Sequence, residues 1–147
     1  MEPYRKEGPG VMETNTEGKR GRVARVELVD NWSSRWNEAL RLLEDLGQAE
    51  VLRLDEAGWL PARRNLLVAF AGADAAGYMC FRVEPLVRQG IVVRRDGRTL
   101  LEAVVEGSGV TGNADADIPR QLREAAMHRA LDLQCARFRW ERVEAGV

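Results

Sequence analysis

One short segment carries the clearest chemical signal in this sequence. Residues 107–112 read G-S-G-V-T-G; they follow an apolar segment and precede a helical pattern that starts after Asp117 and Pro119. Glycine lets bare backbone come close to a ligand, and the start of a helix offers unpaired N–H groups and the positive end of its dipole to a phosphate. Strand, glycine turn and helix in this order are therefore typical of an anion-binding site.

The same segment has other interpretations. Its G-x-G-x-x-G spacing is a weak pattern in a chain with 14 glycines. A dinucleotide site places an acidic residue at the end of the next strand, about 20 residues on, whereas Asp132 has that spacing but falls in the helical pattern. No G-K-[ST] ending indicates a triphosphate loop. A plain connection that binds nothing is the main alternative, and Asp115 and Asp117 favour it because carboxylates repel phosphate.

The remaining residues able to do chemistry favour structural roles. His128 is the only histidine and lies between Glu124 and Asp132 at i, i+4 spacing, which indicates a solvated charged helix face. Cys80 and Cys135 make neither a zinc-ligand set with one histidine nor a disulfide framework. We expect two free thiols in a reducing compartment and no metal.

The four tryptophans have two interpretations. Trp32, Trp36, Trp59 and Trp140 are spread over the first helix, the connectors and the last strand, where packing of helices onto a sheet needs large apolar side chains. We predict that they belong to the core. A hydrophobic groove or an interface is the alternative, because aromatic residues are enriched there.

Composition limits the class of protein. With 147 residues, of which 45% are hydrophobic, the chain can bury one core. Its 22 basic and 23 acidic residues are mixed, and a net charge of -1 gives no electrostatic argument for nucleic acid or an anionic membrane. The first residues lack an apolar signal core, and no run reaches the roughly 18 apolar residues of a membrane span. We expect a soluble cytoplasmic protein that binds neither nucleic acid nor membrane.

Periodicity predicts the elements that position these residues. Residues 1–20 lack apolar periodicity and have the composition of a flexible tail, so that residues 21–147 form a single domain. A strand is predicted up to Val29, then a helix capped by Ser33 or Ser34 that stops at Gly47, then a shorter helix around Val51.

The residue pattern of the rest of the chain predicts two hairpins followed by a crossover connection. Residues 66–71 and 77–84 suit an antiparallel hairpin, and residues 91–93 and 99–105 flank a second turn at Asp96-Gly97. The last helix places one apolar stripe toward the sheet, and the final strand, residues 137–143, must run parallel to the strand before the glycine turn. The stripe consists of Ile118, Leu122, Ala126, Ala130 and Leu133.

This order of elements resembles the GNAT superfamily of N-acetyltransferases. Residues 66–79, LLVAFAGADAAGYM, are similar to the family's hairpin of an apolar strand, a short polar turn, and then a small residue, glycine and an aromatic. Residues 101–133 are similar to its apolar strand, pyrophosphate loop and following helix. The chain resembles a shortened member: it lacks the helix and strands that follow the parallel strand, and its loop is degenerate, without the usual Gln or Arg at its head.

The resemblance implies a fold, a cofactor and a reaction. The fold is α/β, acyl-CoA N-acyltransferase-like, with a mixed, mostly antiparallel sheet and helices on both faces. The cofactor is acetyl-CoA, whose acetyl group passes to the amine of a small molecule or peptide. Glu106 is then the candidate general base and Glu102 the second choice, unless both are merely solvent-facing strand residues. The candidate cofactor-binding residues are Val105, Gly107, Gly109, Val110, Thr111, Gly112 and Asn113.

A non-catalytic domain of the same fold is the alternative. The edge of the sheet where the family's further strands pair is then open. A second copy of the chain, forming a homodimer, or another protein partner can cover such an edge.

Overall fold

The computed structural model describes residues 24–141, and the tail predicted for residues 1–20 lies outside them. Two helices, a short 3-10 helix and nine strands make up the described chain. In order they are β1 (Arg25–Val29), α1 (Trp36–Asp45), the 3-10 helix (Ala49–Leu52), β2 (Arg64–Ala71), β3 (Asp74–Pro85), β4 (Val87–Arg88), β5 (Ile91–Val92), β6 (Arg94–Arg95), β7 (Arg98–Thr99), β8 (Leu101–Val110), α2 (Ile118–Asp132) and β9 (Cys135–Trp140).

The main sheet has five strands in the order β9-β8-β3-β2-β1. The pairs β1/β2, β2/β3 and β3/β8 are antiparallel, whereas β8 and β9 are parallel. A parallel pair requires a crossover connection, and α2 supplies it. The predicted mixed, mostly antiparallel sheet and its final parallel strand are therefore confirmed.

Each face of the sheet is covered by one helix. Of the five residues predicted to form the apolar stripe of α2, Ile118, Leu122, Ala126 and Ala130 are buried against the sheet, and Leu133, just after the helix, is partly buried against the same core. On the other face, Ala39, Leu42 and Leu43 of α1 pack on β2 and β3. The apolar residues of α2 recur at helical spacing, which places them on the one face that packs on the sheet. The strands are rich in β-branched and aromatic residues, which favour a sheet.

The first helix begins later than predicted. Its N-cap is Arg35, and no side chain caps the helix, so the expected serine cap is wrong. Ser33 instead accepts a hydrogen bond at Oγ from the N–H of Asp30, 2.9 Å away, which closes the turn before the helix. Gly47, with φ of +71°, follows the helix end as predicted.

The hairpins differ in length from their predictions. The turn between β2 and β3 consists only of Gly72-Ala73, so β3 begins earlier than residue 77. The turn at Asp96-Gly97 is confirmed, with φ of 52° and 77° at its two residues. A second turn of the same kind at Gln89-Gly90, with φ of 53° and 78°, splits the connection from β3 to β8 into two small hairpins.

The prediction that all four tryptophans belong to the core is wrong. Trp32 is 83% exposed, Trp140 50% and Trp59 41%. Trp36 is partly buried and packs against the core on the α1 face. Aliphatic residues together with Phe70, Tyr78 and Phe81 already fill the two layers, and the three exposed indoles lie in loops or on the edge strand.

Candidate functional site

Strand β8 changes its environment halfway along. Residues 101–105 pair with β3 on one side and with β9 on the other. The pairing with β9 ends at Val105, opposite Trp140, and the N–H of Glu141 donates to the Val105 carbonyl at 2.8 Å. From residue 106 to 110, β8 pairs only with β3 among the described residues. Within residues 24–141, this half of β8 therefore has a strand partner on one edge only.

A bulge marks the change. Cys80 of β3 pairs with Gly107, and the next residue, Phe81, pairs with Val105, so Glu106 is the extra residue on β8. A β-bulge re-aims side chains locally and is common beside functional sites. Here the bulge lies next to Val105, the last residue of β8 that pairs with β9.

The predicted glycine turn is wrong in its first half, because β8 continues through Val110. A Cβ atom on Gly107 would lie 2.9 Å from Cγ1 of Val51, and one on Gly109 would lie 3.0 Å from Oε1 of Gln48. Both would also come within 3.2 Å of Tyr78. These glycines therefore let neighbouring side chains pack directly on the backbone of β8, and the space on that face is filled by the protein.

The other predicted cofactor-binding residues lie around the end of β8. Val105 is buried in the core on the α2 face, and Val110 is partly exposed. The N–H of Thr111 donates to the carbonyl of Ala76 at 2.9 Å. Gly112 and Asn113 belong to the exposed loop that follows. The structure brings these residues to one end of the sheet, and their binding of a cofactor stays a prediction.

The start of α2 is already supplied with acceptors. The N–H of Asp117 donates to Oδ1 of Asp115 at 2.9 Å, the N–H of Ile118 donates to the carbonyl of Asp115 at 3.0 Å, and Pro119 has no N–H. Arg120 holds the Asp117 carboxylate through Nε and Nη2, at 2.7 and 2.6 Å, and thereby lowers the pKa of that carboxyl. A carboxylate and few free donors make this helix end a poor phosphate site.

Glu106 is held by two arginines. Nε and Nη2 of Arg64 donate to its two oxygens at 2.9 and 2.8 Å, and Nη1 of Arg82 donates to Oε2 at 2.8 Å. Only 6% of its side chain is exposed. Such charge-assisted bonds fix the position of the carboxylate between the two guanidiniums.

Glu106 belongs to a larger set of ion pairs on the α1 face of the sheet, which we call the charged ladder. Arg82 also donates to Glu84 at 2.6 Å and thereby lowers the pKa of that carboxyl. Arg139 donates to both oxygens of Glu102, at 3.0 and 3.2 Å. Its members are Arg64, Arg82, Glu84, Glu102, Glu106, Arg137, Arg139 and Glu141.

The charged ladder contradicts the alternative that Glu102 and Glu106 face solvent. The sequence alone did not predict this set of ion pairs. Glu102 and Glu106 are not solvent-facing: Glu102 is buried, and both are ion-paired. The signal was present, because charges recur at every second residue on two of the strands, at Arg82 and Glu84 of β3 and at Arg137 and Arg139 of β9. Only the strand order shows that opposite charges lie side by side.

The two thiols are not activated. Burial raises the pKa of Cys80 to about 12, and Cys80 is buried in the sheet. Burial also raises the pKa of Cys135. Since the thiolate is the nucleophile, neither residue is poised for covalent chemistry.

His128 lies on the exposed face of α2, as predicted. Within residues 24–141, no group of three or more His, Cys, Asp or Glu side chains is arranged to hold a metal ion. In the same range, neither helix has the length and apolar character needed to cross a membrane.

Several solved structures share the fold of this chain, and acetyltransferases are among them. A ribosomal-protein-alanine N-acetyltransferase from Brucella melitensis biovar Abortus 2308 superposes with a TM-score of 0.60 over 84% of this chain and 83% of that chain, at 13% identity. The chain has the GNAT acetyltransferase fold. A GNAT family acetyltransferase from Staphylococcus aureus subsp. aureus USA300_TCH1516 gives 0.58 over 83% and 88% of the two chains, at 10% identity.

A third structure of this fold was solved with its cofactor. It is an aminoglycoside N-acetyltransferase in complex with CoA, with a TM-score of 0.56 over 84% of this chain and 82% of that chain, at 14% identity. No protein-family model matches the sequence, and no curated protein matches it significantly. The resemblance read from residues 66–79 and 101–133 is thus confirmed at the level of the fold.

Proposed function

We propose that this domain binds acetyl-CoA along the free edge of β8, at residues 106–110, and transfers the acetyl group to an amine. The observation that carries the proposal is that, within residues 24–141, the pairing of β9 with β8 ends at Val105. Unpaired backbone groups at a strand edge are donors and acceptors that a ligand with amide groups can satisfy. CoA-bound neighbours of the same fold support this choice of cofactor.

The two ends of the cofactor fit this chain unequally. The amide-bearing pantetheine arm suits the edge of β8. The phosphates do not suit the start of α2, because Asp117 carries a carboxylate there and Asp115 occupies the N–H of Asp117. We infer that the arm supplies most of the affinity and that the phosphates lie in solvent.

The chain's own residues then have limited tasks. Acetyl transfer forms a C–N bond, breaks the C–S bond of the thioester, and moves one proton from the amine to the departing CoA thiolate. Backbone N–H groups on the edge of β8 are the donors available to the thioester carbonyl oxygen. Glu106 keeps its predicted role as base only if it leaves its arginine partners, so we assign it first to holding Arg64 and Arg82 in place.

Calorimetry with two ligands tests the proposal. Acetyl-CoA and S-acetylpantetheine, which lacks the nucleotide and its phosphates, are titrated separately into the full chain. We expect affinities within about threefold of each other, because the shared arm makes the contacts. Much tighter binding of acetyl-CoA would indicate a phosphate site, and no binding of either ligand would overturn the proposal.

A variant pair locates the binding. Ser108 is exposed on the half of β8 that lacks a second strand partner. Ser108→Trp places a bulky group beside the edge and should weaken both ligands at least tenfold, a loss of about 1.4 kcal/mol. Leu131→Trp is the matched control, since Leu131 is exposed on α2 and is not among the candidate cofactor-binding residues. Equal affinities for both variants would place the cofactor elsewhere.

Some observations favour a second candidate, a non-catalytic interaction domain. Val51 and Tyr78 fill the space beside Gly107, and the loop after β8 is acidic. In that case the free edge of β8 takes a strand of a partner or of a second copy. Absence of cofactor binding, together with concentration-dependent dimerisation in sedimentation, would support this candidate.

A further inference from the structure

A cleft lies beside Arg64, a member of the charged ladder. It is about 190 Å³ in volume and lies between the loop after β1 and the loop before β2. The indoles of Trp32 and Trp59 line it, with ring centroids 5.2 Å apart and planes tilted by 49°. Trp32 is 83% exposed and Trp59 41%, so the two indoles form an apolar surface that is open to solvent.

The cleft is held in place by hydrogen bonds between the two loops. Asn31 donates from Nδ2 to the carbonyl of Gly58 at 2.9 Å and accepts at Oδ1 from the N–H of Leu60 at 2.7 Å. The backbone N–H of Trp32 donates to Asp30 Oδ1 at 2.8 Å, and that of Trp59 donates to Asp55 Oδ1 at 2.9 Å. The indoles are thus presented by fixed turns.

The charges around the cleft favour a cation. Asp30 lines it with a carboxylate that uses Oδ1 for Trp32 and Ser33, while Oδ2 has no hydrogen bond from residues 24–141. Arg64 also lines it, but its guanidinium is paired bidentately with Glu106. The local negative charge therefore lies on Asp30.

We propose that the Trp32–Trp59 cleft binds an organic ammonium group, by cation–π contact with the indoles and by ion pairing with Asp30. Tryptophan is the strongest cation–π partner among the side chains, and aromatic residues beside a carboxylate suit a quaternary or alkylated ammonium. The remaining lining is small and apolar, with Leu60, Pro61 and Ala62, which suits methyl groups on the cation. The assignment is independent of acetyl transfer, because it involves neither β8 nor a thioester.

Binding to the full chain without CoA tests the assignment. Choline chloride is titrated with tryptophan fluorescence and calorimetry as readouts, and 3,3-dimethylbutan-1-ol, its uncharged carbon analogue, is titrated in parallel. We expect saturable binding of choline, and binding of the alcohol at least about tenfold weaker, because the cation–π and ion-pair contributions are lost. Equal binding of the two would show an apolar groove and overturn the proposal.

Variants assign the contacts. Trp32→Ala should weaken choline binding by about tenfold, and Asp30→Asn should weaken it while keeping an acceptor for the N–H of Trp32. Trp140→Phe is the control, because Trp140 is an exposed indole on β9 that does not line the cleft. Unchanged affinity in Trp32→Ala, with folding verified by thermal melting, would refute the site.

A peptide carrying trimethyllysine distinguishes the source of the ammonium group. Tighter binding of the peptide than of choline would indicate a protein side chain as the natural ligand, and the reverse order a free small molecule. No saturable binding of either ligand up to about 10 mM, an affinity weaker than about 3 kcal/mol, would reject the proposal.

Discussion

The two halves of β8 show how one strand can serve both the fold and a ligand. In residues 101–105, β8 has strand partners on both sides, and Ala103, Val104 and Val105 are essentially inaccessible to solvent. In residues 106–110, it has one strand partner, and Ser108 and Val110 are exposed. The first half is fixed by burial and by two ladders of hydrogen bonds. The second half has donors and acceptors left for a ligand.

The largest effect is expected from the closed half. Phe81 pairs with Val105, is fully buried, and meets Phe138 of β9 edge-on at 6.2 Å between ring centroids. Phe81→Ala should lower the free energy of unfolding by about 4 kcal/mol, since it removes buried area and leaves a cavity. Urea unfolding measures the loss. Val110→Ala, in the open half, should cost less than about 1.5 kcal/mol, and equal costs would contradict the comparison.

Breaking the ion pairs at the junction of the halves should have the next effect. Glu106→Ala leaves the guanidiniums of Arg64 and Arg82 without their carboxylate, at a cost of about 3 kcal/mol, because all three groups are largely buried. Glu106→Gln keeps the shape and should cost about 1 kcal/mol.

The two Glu106 variants also separate a structural from a catalytic role. If Glu106 is the general base, Glu106→Gln should reduce kcat by at least about 100-fold with little loss of stability. If it positions the arginines, stability falls in Glu106→Ala and the kcat of Glu106→Gln changes little. Acetyl transfer measured beside chemical unfolding distinguishes the outcomes.

Glycine substitutions should have a smaller effect on stability. They compare a glycine within β8 with one in the loop that follows it. Gly107→Ala should destabilise by about 1–2 kcal/mol, because its Cβ would lie 2.9 Å from Val51 and one of the two must shift. Gly112→Ala has open space and should change stability by less than about 0.5 kcal/mol. Thermal melting of both variants measures the difference in stability. Unchanged stability of Gly107→Ala would show that Val51 can move to make room for the added methyl group.

The smallest expected effect on stability comes from two residues that pair with the open half of β8, and it appears only at alkaline pH. Cys80 and Tyr78 pair with Gly107 and Gly109, and burial raises the pKa of each to about 12 from ordinary values of 9.0 and 10.0. The unfolded chain therefore loses these protons first, so the contribution of Cys80 and Tyr78 to stability should be constant below about pH 8 and decline between about pH 9 and 12.

Denaturation across that pH range measures the loss. Tyr78→Phe removes one of the two groups and should flatten the upper part of the decline. A profile independent of pH up to 12 would contradict the burial of both residues.

The sequence predicted the parts of this protein that depend on local pattern. Alternation and turn residues located β2, β3 and the turn at Asp96-Gly97, and the apolar stripe placed α2 on the sheet. It failed where a residue type has two uses. The glycines at 107 and 109 predict a turn, but in the structure they permit close packing inside a strand. The serines before α1 predict a helix cap, but Ser33 closes the preceding turn.

The sequence by itself therefore determined the order of the elements, which faces are apolar, and through these the fold. The tertiary structure decided which edges and side chains are available. It ends the pairing of β9 at Val105, sets Glu106 between two arginines from other strands, and leaves Trp32 and Trp59 uncovered. The physical reason is distance along the chain: periodicity records what a residue needs locally, whereas partners more than 20 residues apart meet only once the strand order is fixed.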